Sequence, residues 1–447
     1  MLKGRPTGGS TGAKQVSKRR GLNGTEKWAL SVLLNKVQDM PVRFVLWSGD
    51  EFCVSKAAPA TTLHIGDPKA LFGLLFNPSI CFGDGYSSGR LRVEGDLVTF
   101  VEDLFRLIDK RQTGRSNIEN SSLIDRLPLE WVEGLRSRWL RARQKNTLRG
   151  SQKNIHYQYD IGNDFYKLWL DSQLVYTSAY FQSPDSSLEE AQVAKLDYVC
   201  RKVQLQPGDV VAEAGCGWGA LALHMARNYG ALVKAFNISR EQLSYARQRA
   251  REEGLSGRVE FIEDDYRNIS GRFDVFMSVG MLEHVGLEHY SELGGVMDRS
   301  LHASGRGLLH FIGRNSEYPL NIWIRKRTFP GAHPPTLRKA VEMFEPRSFS
   351  VLDVENLRLH YAKTLEHWLE RFERSVDLVS AMFDQEFVRA WRFYLAGSLA
   401  SFRAGWLQLF QVTFARASSN RIPWSRSYLY RDLETRPRRE VSVLSRK

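Results

Sequence analysis

A glycine-rich turn with an acidic residue in front of it offers the first sign of chemistry in this chain. Residues 211–220 read VAEAGCGWGA, so Glu213, Gly215, Gly217 and Gly219 form the pattern ExGxGxG between an apolar strand and a helix. Glycines let the backbone approach a ligand closely, and a helix N-terminus favours negatively charged groups. Two cofactor classes use such a turn: dinucleotides, through the pattern GxGxxA, and S-adenosylmethionine (SAM).

The next strand does not decide between these cofactors. It ends in Asn237, where both cofactor classes usually place an acid that holds the ribose, so the asparagine weakens both interpretations. In FNISREQ, Ser239 and Gln242 have the spacing of a helix capping box. Spacing alone therefore favours a structural role for Gln242.

Two further polar residues follow apolar strands. Glu283 comes just after FDVFMSVG, and His310 lies within GRGLLHFIG. Taken alone, such a histidine is most often a satisfied core residue, and such a glutamate can be a helix N-terminal charge. Both can nevertheless meet over one sheet edge.

The segment VYTSAYF, residues 175–181, concentrates three aromatic rings and two aliphatic hydroxyls. Aromatic faces attract a sulfonium ion by cation–π interaction, which would suit Tyr176 beside SAM. For Tyr180 and Phe181 we favour packing between helices.

Alternating apolar strands and amphipathic helices begin at about Ser151. This order predicts an α/β fold with a mostly parallel sheet, whose ligands bind beyond the carboxyl ends of the strands. Before it, a smaller α+β domain is predicted, with strands in VRFVLWSGD and TTLHIGD, helices in DPKALFGLLF and VTFVEDLFRLI, and a turn-rich link in FGDGYSSGRLRVEGDL. The predicted units are a basic disordered tail (1–24), the small domain (25–110), a basic helical connection (111–150), the core (151–418) and a basic extension (419–447).

Composition narrows the class of protein. The chain has 447 residues with 43% hydrophobic content, enough for two or more domains. Its four cysteines are not paired as CxxC, which favours a reducing compartment. Neither a signal peptide nor a run of eighteen apolar residues is present, and the net charge of +13 suits either an anionic partner or two solvated tails.

Several motifs together resemble the cyclopropane fatty acid synthase family of SAM-dependent methyltransferases. They are HYQYDIGNDFYKLWLD, VYTSAYF, AGCGWGA, KAFNISREQ, EDDYRN, SVGMLEHVG, LLHFIG, HYAKTLEHWLERF and FYLAGSLASFRAGWLQLFQVTFAR, in this order from about Lys153 to Arg416. The first domain resembles that of bacterial members through CFGDGYSSGRLRVEGDL. The resemblance implies a class I, Rossmann-like methyltransferase core and favours SAM over a dinucleotide.

The resemblance also implies which residues hold the cofactor. Tyr176 and Thr177 should contact the methionine part of SAM, with Gly215 and Gly217 beneath it and Glu213 in the same turn. On the same basis, Asn237 and Gln242 should lie at the ribose and sulfonium side, and Asp265 and Tyr266 near the adenine.

The implied reaction is methyl transfer to a double bond in a phospholipid acyl chain, followed by loss of a proton to a bound bicarbonate ion and closure of a cyclopropane ring. An alkene is a weak nucleophile, so it must be held in line with the methyl group in a dry, apolar pocket. The residues that match the family's pocket and bicarbonate positions are Glu283, His310, Ile312, Tyr361 and Tyr159.

Two departures from the family stand at catalytic positions. Ser178 and Ser398 replace cysteines, so a thiolate nucleophile at either position is ruled out. Ser178 could still serve a bound anion through its backbone N–H or hydroxyl, or it could mark a different product.

Alternatives therefore stay open: methylation to a methylene or methyl-branched chain without ring closure, N-methylation of an amine, or an inactive lipid- or nucleic-acid-binding module. We favour lipid over nucleic acid as the partner and leave a homodimer open. The basic ends predict a cytoplasmic protein that binds the inner face of an anionic membrane, and the loop 321–331, with Trp323 among Arg325, Lys326 and Arg327, is the predicted lip where a lipid tail enters.

Overall fold

The structure is a computed structural model that describes residues 21–112, 161–317 and 320–430, with side chains in the first range up to residue 109. Most of the predicted basic tail, nearly all of the basic connection, the end of the C-terminal extension and Tyr159 lie outside the described residues. The predicted domain boundaries stay predictions.

A small mixed sheet lies near the start of the described chain. Its strands, in the order β2-β1-β3-β4, are β1 (Val42–Leu46), β2 (Glu51–Cys53), β3 (Thr61–Ile65) and β4 (Leu91–Glu94). β1 and β3 are parallel, while β2 and β4 are antiparallel to their neighbours. Four helices accompany this sheet: α1 (Gly24–Lys36), α2 (Pro68–Phe76), α3 (Pro78–Ser87) and α4 (Leu97–Gln112).

One sequence prediction for this domain is wrong. The segment FGDGYSSGRLRVEGDL is not a turn-rich link, because it contains the end of α3 and all of β4. Its glycines allow close packing: a Cβ atom on Gly83 would lie 2.4 Å from the Trp323 ring, and one on Gly85 would lie 2.8 Å from Leu91. In the sequence these glycines suggest turns, whereas in the structure they allow a helix to pack closely against its neighbours.

The larger sheet has seven strands within the described residues. Their order is β10-β11-β9-β8-β5-β6-β7. The strands are β5 (Val210–Ala214), β6 (Leu232–Asn237), β7 (Val259–Glu263), β8 (Phe273–Val279), β9 (Leu301–Gly313), β10 (Phe349–Asn356) and β11 (Gln408–Arg416). Neighbouring strands are parallel from β9 to β7, whereas β11 is antiparallel to both β9 and β10.

The order of the strands reverses at β5, which has β6 on one side and β8 on the other. At such a point the connections leave to opposite faces and open a crevice beyond the carboxyl ends of the strands. The glycine-rich turn after β5 and Glu283 after β8 both lie at this crevice.

Helices cover both faces of the large sheet and continue beyond it. They are α5 (Asn163–Lys167), α6 (Leu188–Lys202), α7 (Ala220–Tyr229), α8 (Arg240–Glu252), α9 (Leu282–Val285), α10 (Tyr290–Ser300), α11 (Ile322–Arg327), α12 (Leu337–Val341), α13 (Arg358–Arg374), α14 (Val376–Met382), α15 (Gln385–Arg403) and α16 (Ser427–Tyr430). None of the described helices has the length and hydrophobicity needed to cross a bilayer.

The apolar core of the first domain continues into the helices of the second. One cluster of buried side chains contains residues of α1 to α4 together with residues of α13 and α15. Across this junction the rings of Phe82 and Phe393 lie 5.3 Å apart, and those of Tyr86 and Phe393 lie 5.7 Å apart. The two domains are therefore packed on each other through a shared core.

Trp323→Ala should destabilise the protein by about 3–5 kcal/mol, because Trp323 is 2% exposed in the shared core and its indole N–H donates to Asp84 over 3.1 Å. Denaturant unfolding would measure the loss. The matched control is Trp424→Ala, which truncates a fully exposed ring and should change stability by no more than about 0.5 kcal/mol. Equal losses in the two variants would contradict the shared core.

Candidate active site

The glycine-rich turn has the backbone geometry that a ligand-binding turn needs. Gly215, Gly217 and Gly219 have φ values of 84°, 53° and 83°, in the region that favours glycine. A Cβ atom on Gly219 would lie 2.7 Å from the Phe261 ring, whereas one on Gly217 would meet nothing within 4 Å. Gly219 thus allows packing, and Gly217 leaves open space beside the crevice.

A cavity of about 120 Å³, the cofactor cavity, opens at this turn. Seven of the nine predicted cofactor residues line it: Tyr176, Thr177, Glu213, Gly215, Gly217, Asn237 and Gln242. Residues from three strand ends and from the 175–181 segment are therefore brought together as the sequence predicts.

Asp265 and Tyr266 do not line the cofactor cavity. They follow β7, and the Asp265 carboxylate accepts the backbone N–H of Arg267 over 3.0 Å and pairs with its guanidinium over 3.3 Å. This carboxylate caps a short 3₁₀ helix, Tyr266–Asn268. Their predicted role at the adenine stays a prediction.

The side chains of Asn237 and Gln242 are hydrogen-bonded to each other. The Asn237 amide donates to Gln242 Oε1 over 2.8 Å, and its Oδ1 accepts the backbone N–H of Ile238 over 2.8 Å. Ser239 caps α8 by accepting the Gln242 N–H over 3.4 Å. The capping role is thus correct for Ser239, while the Gln242 side chain pairs with Asn237 and faces the cofactor cavity.

Glu213 is buried at the base of the cofactor cavity. Its side chain is 3% exposed, and Oε2 has no hydrogen-bond partner among the described residues. Burial raises the pKa of this carboxyl to about 8, and the nearby Lys195 acts in the opposite direction. A buried acceptor without a partner is expensive, so this oxygen fits a ligand that carries an N–H group, such as the amino-acid end of SAM.

Lys195 and Asp171 are polar residues that our sequence analysis missed. Lys195 lines the cofactor cavity and donates from Nζ to Thr177 Oγ1 over 2.9 Å. The burial of Lys195 could have been predicted from the sequence. Residues 188, 192, 195 and 199 have the spacing of the buried face of a helix, which places Lys195 on that face. Asp171 lies in a turn with no comparable pattern.

A second, larger cavity of about 660 Å³, the acyl cavity, adjoins the first. Most of its wall is apolar, and Val101, Phe105 and Ile108 of α4 form part of it. All six described catalytic candidates line it: Ser178, Glu283, His310, Ile312, Tyr361 and Ser398. The structure therefore gathers these polar groups in an otherwise apolar space.

Glu283 carries an unpartnered oxygen in the acyl cavity. Its Oε1 accepts the backbone N–H of Ile312, while Oε2 is buried without a partner among the described residues. Burial raises the pKa of this carboxyl to about 7, although the hydrogen bond from Ile312 lowers it. Ile312, whose position matches one of the family's bicarbonate-holding positions, thus has its backbone N–H engaged by Glu283.

His310 is 2% exposed and its Nδ1 lies 2.9 Å from the amide nitrogen of Gln411. Burial lowers its pKa well below the usual value, so the ring is neutral. With the Gln411 amide donating to Nδ1, the ring proton lies on Nε2. The histidine is thus satisfied on one side, as a core histidine would be, and retains a donor on the other.

The two serines at the usual cysteine positions differ in their surroundings. Ser178 is fully buried and its hydroxyl donates to the carbonyl of Ala179 over 3.0 Å. Ser398 is half-buried in α15. The Ser178 proton is therefore already used within the protein.

Tyr176, Thr177, Gly280 and His284 line both cavities and so form a shared wall. The Tyr176 hydroxyl lies 2.8 Å from that of Tyr394. Burial lowers the pKa of His284 to about 4, so this ring is neutral. A ligand in one cavity can reach a ligand in the other only across this wall.

The neighbouring aromatic residues pack as predicted. Tyr180 stacks on Tyr198 with centroids 4.2 Å apart, and the backbone N–H of Phe181 donates to His360 over 3.0 Å. Neither ring lines a cavity.

The predicted lipid-entry loop at 321–331 needs correction. It contains the helix α11, in which Trp323 and Arg325 are buried and Arg327 pairs with Asp84 over 2.9 Å. Ile324 and Phe329 do line the acyl cavity. The segment is therefore a wall of that cavity held to the first domain, and two of its three cations are not free for a membrane.

The fold and the paired cavities define a class I SAM-dependent methyltransferase. The family model described as mycolic acid cyclopropane synthetase matches residues 146–412. The chain is 35% identical over 404 residues to a probable fatty acid methyltransferase of Pseudomonas putida, covering 88% of this chain and 97% of that one. It is 40% identical over 263 residues to the cyclopropane-fatty-acyl-phospholipid synthase of Escherichia coli K12, covering 59% and 67%.

Among solved structures, the mycolic acid cyclopropane synthase CmaA1, complexed with SAH (S-adenosylhomocysteine) and CTAB, superposes with a TM-score of 0.57 at 29% identity, covering 59% of this chain and 98% of that chain. The chain belongs to the cyclopropane fatty acid synthase family of SAM-dependent methyltransferases. The glycine-rich turn is therefore assigned to SAM and not to a dinucleotide.

The raised pKa of Glu283 predicts a pH-dependent cost of folding. In the unfolded chain this carboxyl ionises near 4.5 and in the folded protein near 7, so stability falls as the pH rises between these values. Glu283→Gln removes the titrating group and should gain stability relative to wild type from pH 5 to pH 8, by up to about 3 kcal/mol. Denaturant unfolding of both proteins at several pH values would show it, and a pH-independent difference would contradict a buried, titrating Glu283.

Proposed function

We propose that this enzyme transfers the methyl group of SAM to the double bond of an unsaturated acyl chain in a membrane phospholipid and closes a cyclopropane ring, with bound bicarbonate as the base. The observation that carries the proposal is the pair of adjoining cavities. One ends at the glycine-rich turn, the other is large and apolar, and Tyr176 and Thr177 form a wall between them.

The cofactor cavity fits SAM. Glu213 offers an unpartnered oxygen to an amino group, and Gln242 faces the side where the ribose is expected. Tyr176 presents its ring at the wall where a sulfonium would gain cation–π attraction. SAM, when bound, supplies an electrophilic methyl group; the chain holds and orients it.

The acyl cavity fits a long apolar chain. Its apolar wall would exclude water from a bound double bond, and the aromatic rings of Tyr361, Phe329 and Tyr394 line the same cavity, so their faces are available to stabilise a positive charge on the substrate. Close orientation in a dry site is what a weak alkene nucleophile requires.

Two groups support a bicarbonate site at Glu283 and His310. The free Glu283 oxygen can accept the bicarbonate hydroxyl, and the Nε2–H of neutral His310 can donate to an anionic oxygen. Bicarbonate, when bound, supplies a proton acceptor that neither a neutral histidine of depressed pKa nor a donating serine provides. The chain's task is to hold that anion beside the methylated carbon.

A second candidate is methylation without ring closure, giving a methylene or methyl-branched chain. Serines at 178 and 398 alter the polar end of the acyl cavity relative to most of the family. The Pseudomonas putida relative also carries the broader description of a fatty acid methyltransferase. Both candidates begin with the same cation. Ring closure takes a proton from the new methyl group as that carbon bonds to the cationic carbon, whereas the methylene product needs a hydride shift onto the cationic carbon before the same methyl group loses a proton. A saturated methyl-branched chain needs in addition a hydride donor that reduces the methylene group.

We also propose that the protein works as a peripheral membrane protein on the cytoplasmic face, since its substrate lies in a bilayer. The net charge of +13 and the basic ends support this proposal. Because α11 packs on the first domain, we expect basic residues outside α11 to make the contact with the membrane.

Incubation of the purified protein with SAM and unsaturated phospholipid should add 14 mass units per modified chain, because a CH₂ group is added. Ring protons at high field in proton NMR indicate cyclopropane, and vinylidene protons indicate a methylene product.

Glu283→Gln should lower kcat at least about 100-fold, since the anion site loses its acceptor. The control Glu288→Gln changes an exposed carboxyl nearby and should retain wild-type activity; unchanged activity in Glu283→Gln would remove our assignment of the anion site.

Binding to vesicles should depend steeply on salt if basic residues attract an anionic surface. Sedimentation with vesicles of anionic phospholipid should show association that falls between low and physiological ionic strength. Neutral phosphatidylcholine vesicles are the control, and equal binding to both would contradict the electrostatic contact.

A further inference from the structure

Lys195 is a buried cation at the cofactor cavity. It lies on α6, its side chain is 2% exposed, and it lines the cavity together with Glu213. Burying a lysine is costly unless its ammonium is hydrogen-bonded and near opposite charge. Here Nζ donates to Thr177 Oγ1 over 2.9 Å. Burial lowers the pKa of Lys195 to about 8, and the nearby carboxyl groups of Asp171 and Glu213 act in the opposite direction.

This hydrogen bond fixes the direction of the Thr177 hydroxyl. An ammonium can only donate, so Thr177 Oγ1 must accept, and its own proton has to point elsewhere. No hydrogen bond donated by the Thr177 hydroxyl is found among the described residues. The methyl group of Thr177 faces Gly280, where a Cβ atom would lie 2.7 Å from Cγ2, so the methyl cannot exchange places with the hydroxyl without losing the contact with Lys195.

The backbone around Thr177 is held just as firmly. The side-chain amide of Gln192, one turn before Lys195 on α6, donates to the Thr177 carbonyl over 2.9 Å. Asp171 accepts the N–H groups of Gln173 and Val175 over 2.9 and 2.8 Å, which stabilises the left-handed residue Leu174, with a φ of 57°. The position and direction of the hydroxyl are thus set before any ligand binds.

The cofactor's amino-acid end carries both an ammonium and a carboxylate. Burial leaves Glu213 largely protonated near pH 7, and an ammonium bound at its free oxygen would favour the ionised form. Among the described residues that line the cavity, Lys195 is the only lysine or arginine. A hydroxyl that accepts from an ammonium is a stronger donor toward an anion.

We propose that Lys195 is a positioning residue that holds the Thr177 hydroxyl as a hydrogen-bond donor to the carboxylate of the methionine part of SAM. The inference rests on the proposed placement of SAM in the cofactor cavity. Lys195 lies outside the glycine-rich turn and the 175–181 segment, and it would contribute to cofactor binding through Thr177.

Isothermal titration calorimetry with two probes tests it. S-adenosylhomocysteine carries the amino-acid end, and 5′-methylthioadenosine lacks it. Lys195→Met and Thr177→Val should each weaken S-adenosylhomocysteine about tenfold and change 5′-methylthioadenosine affinity less than about threefold. Because Lys195 acts through Thr177, the double variant should be no weaker than the single variants.

The matched comparison is Thr177→Ser, which keeps the hydroxyl and should retain more of the S-adenosylhomocysteine affinity than Thr177→Val does. If Lys195→Met does not fold, Thr177→Val against Thr177→Ser still decides whether the hydroxyl recognises the carboxylate. Additive losses in the double variant, equal losses for both probes, or an unchanged affinity for S-adenosylhomocysteine would each overturn the inference.

Gln242→Ala separates this inference from the proposed placement of SAM. Loss of affinity for both probes in Gln242→Ala, with Lys195→Met unchanged, would reject the role of Lys195 alone. If Gln242→Ala, Lys195→Met and Thr177→Val all bind both probes like wild type, the placement of SAM in this cavity is rejected as well.

Discussion

The site depends on burying carboxyl groups whose oxygens are not all paired. Glu213 and Glu283 lie in separate cavities, each with one oxygen that has no partner among the described residues. In water each would be solvated and ionised near 4.5, and burial raises both pKa values by several units. The rest of the fold must be stable enough to offset the free-energy cost of burying these carboxyl groups. A ligand that hydrogen-bonds to the unpaired oxygens reduces that cost.

The architecture meets that requirement by placing both groups at strand ends. Glu213 is on β5, the strand at which the order reverses, and Glu283 follows its neighbour β8. Backbone ladders on either side keep these positions fixed, while the crevice leaves room for ligands. The 175–177 segment then crosses the crevice and separates it into a polar and an apolar part.

Much of this arrangement could be predicted from the sequence, because strand and helix periods and ordered motifs are local signals. The parallel sheet, the glycine turn and the convergence of Glu283 with His310 are of this kind. The helix at Gly83 and Gly85 was not predicted, since the contacts that require glycine are tertiary: Gly83 packs against Trp323, distant in sequence, and Gly85 against Leu91 of the following strand. The same holds for the Ile312 N–H, whose engagement by Glu283 is a tertiary contact, and for α11, whose cations look solvated until the first domain is packed against them.

The wall that α4 contributes to the acyl cavity ties substrate binding to the first domain. Val101, Phe105 and Ile108 come from a helix outside the 146–412 region that the family model matches. A catalytic core separated from residues 21–112 would have its apolar cavity open to water along one side. Changes in α4 thus offer a way to alter which acyl chains are accepted while every group around the methyl donor stays the same, so substrate range and chemistry can diverge independently in this chain.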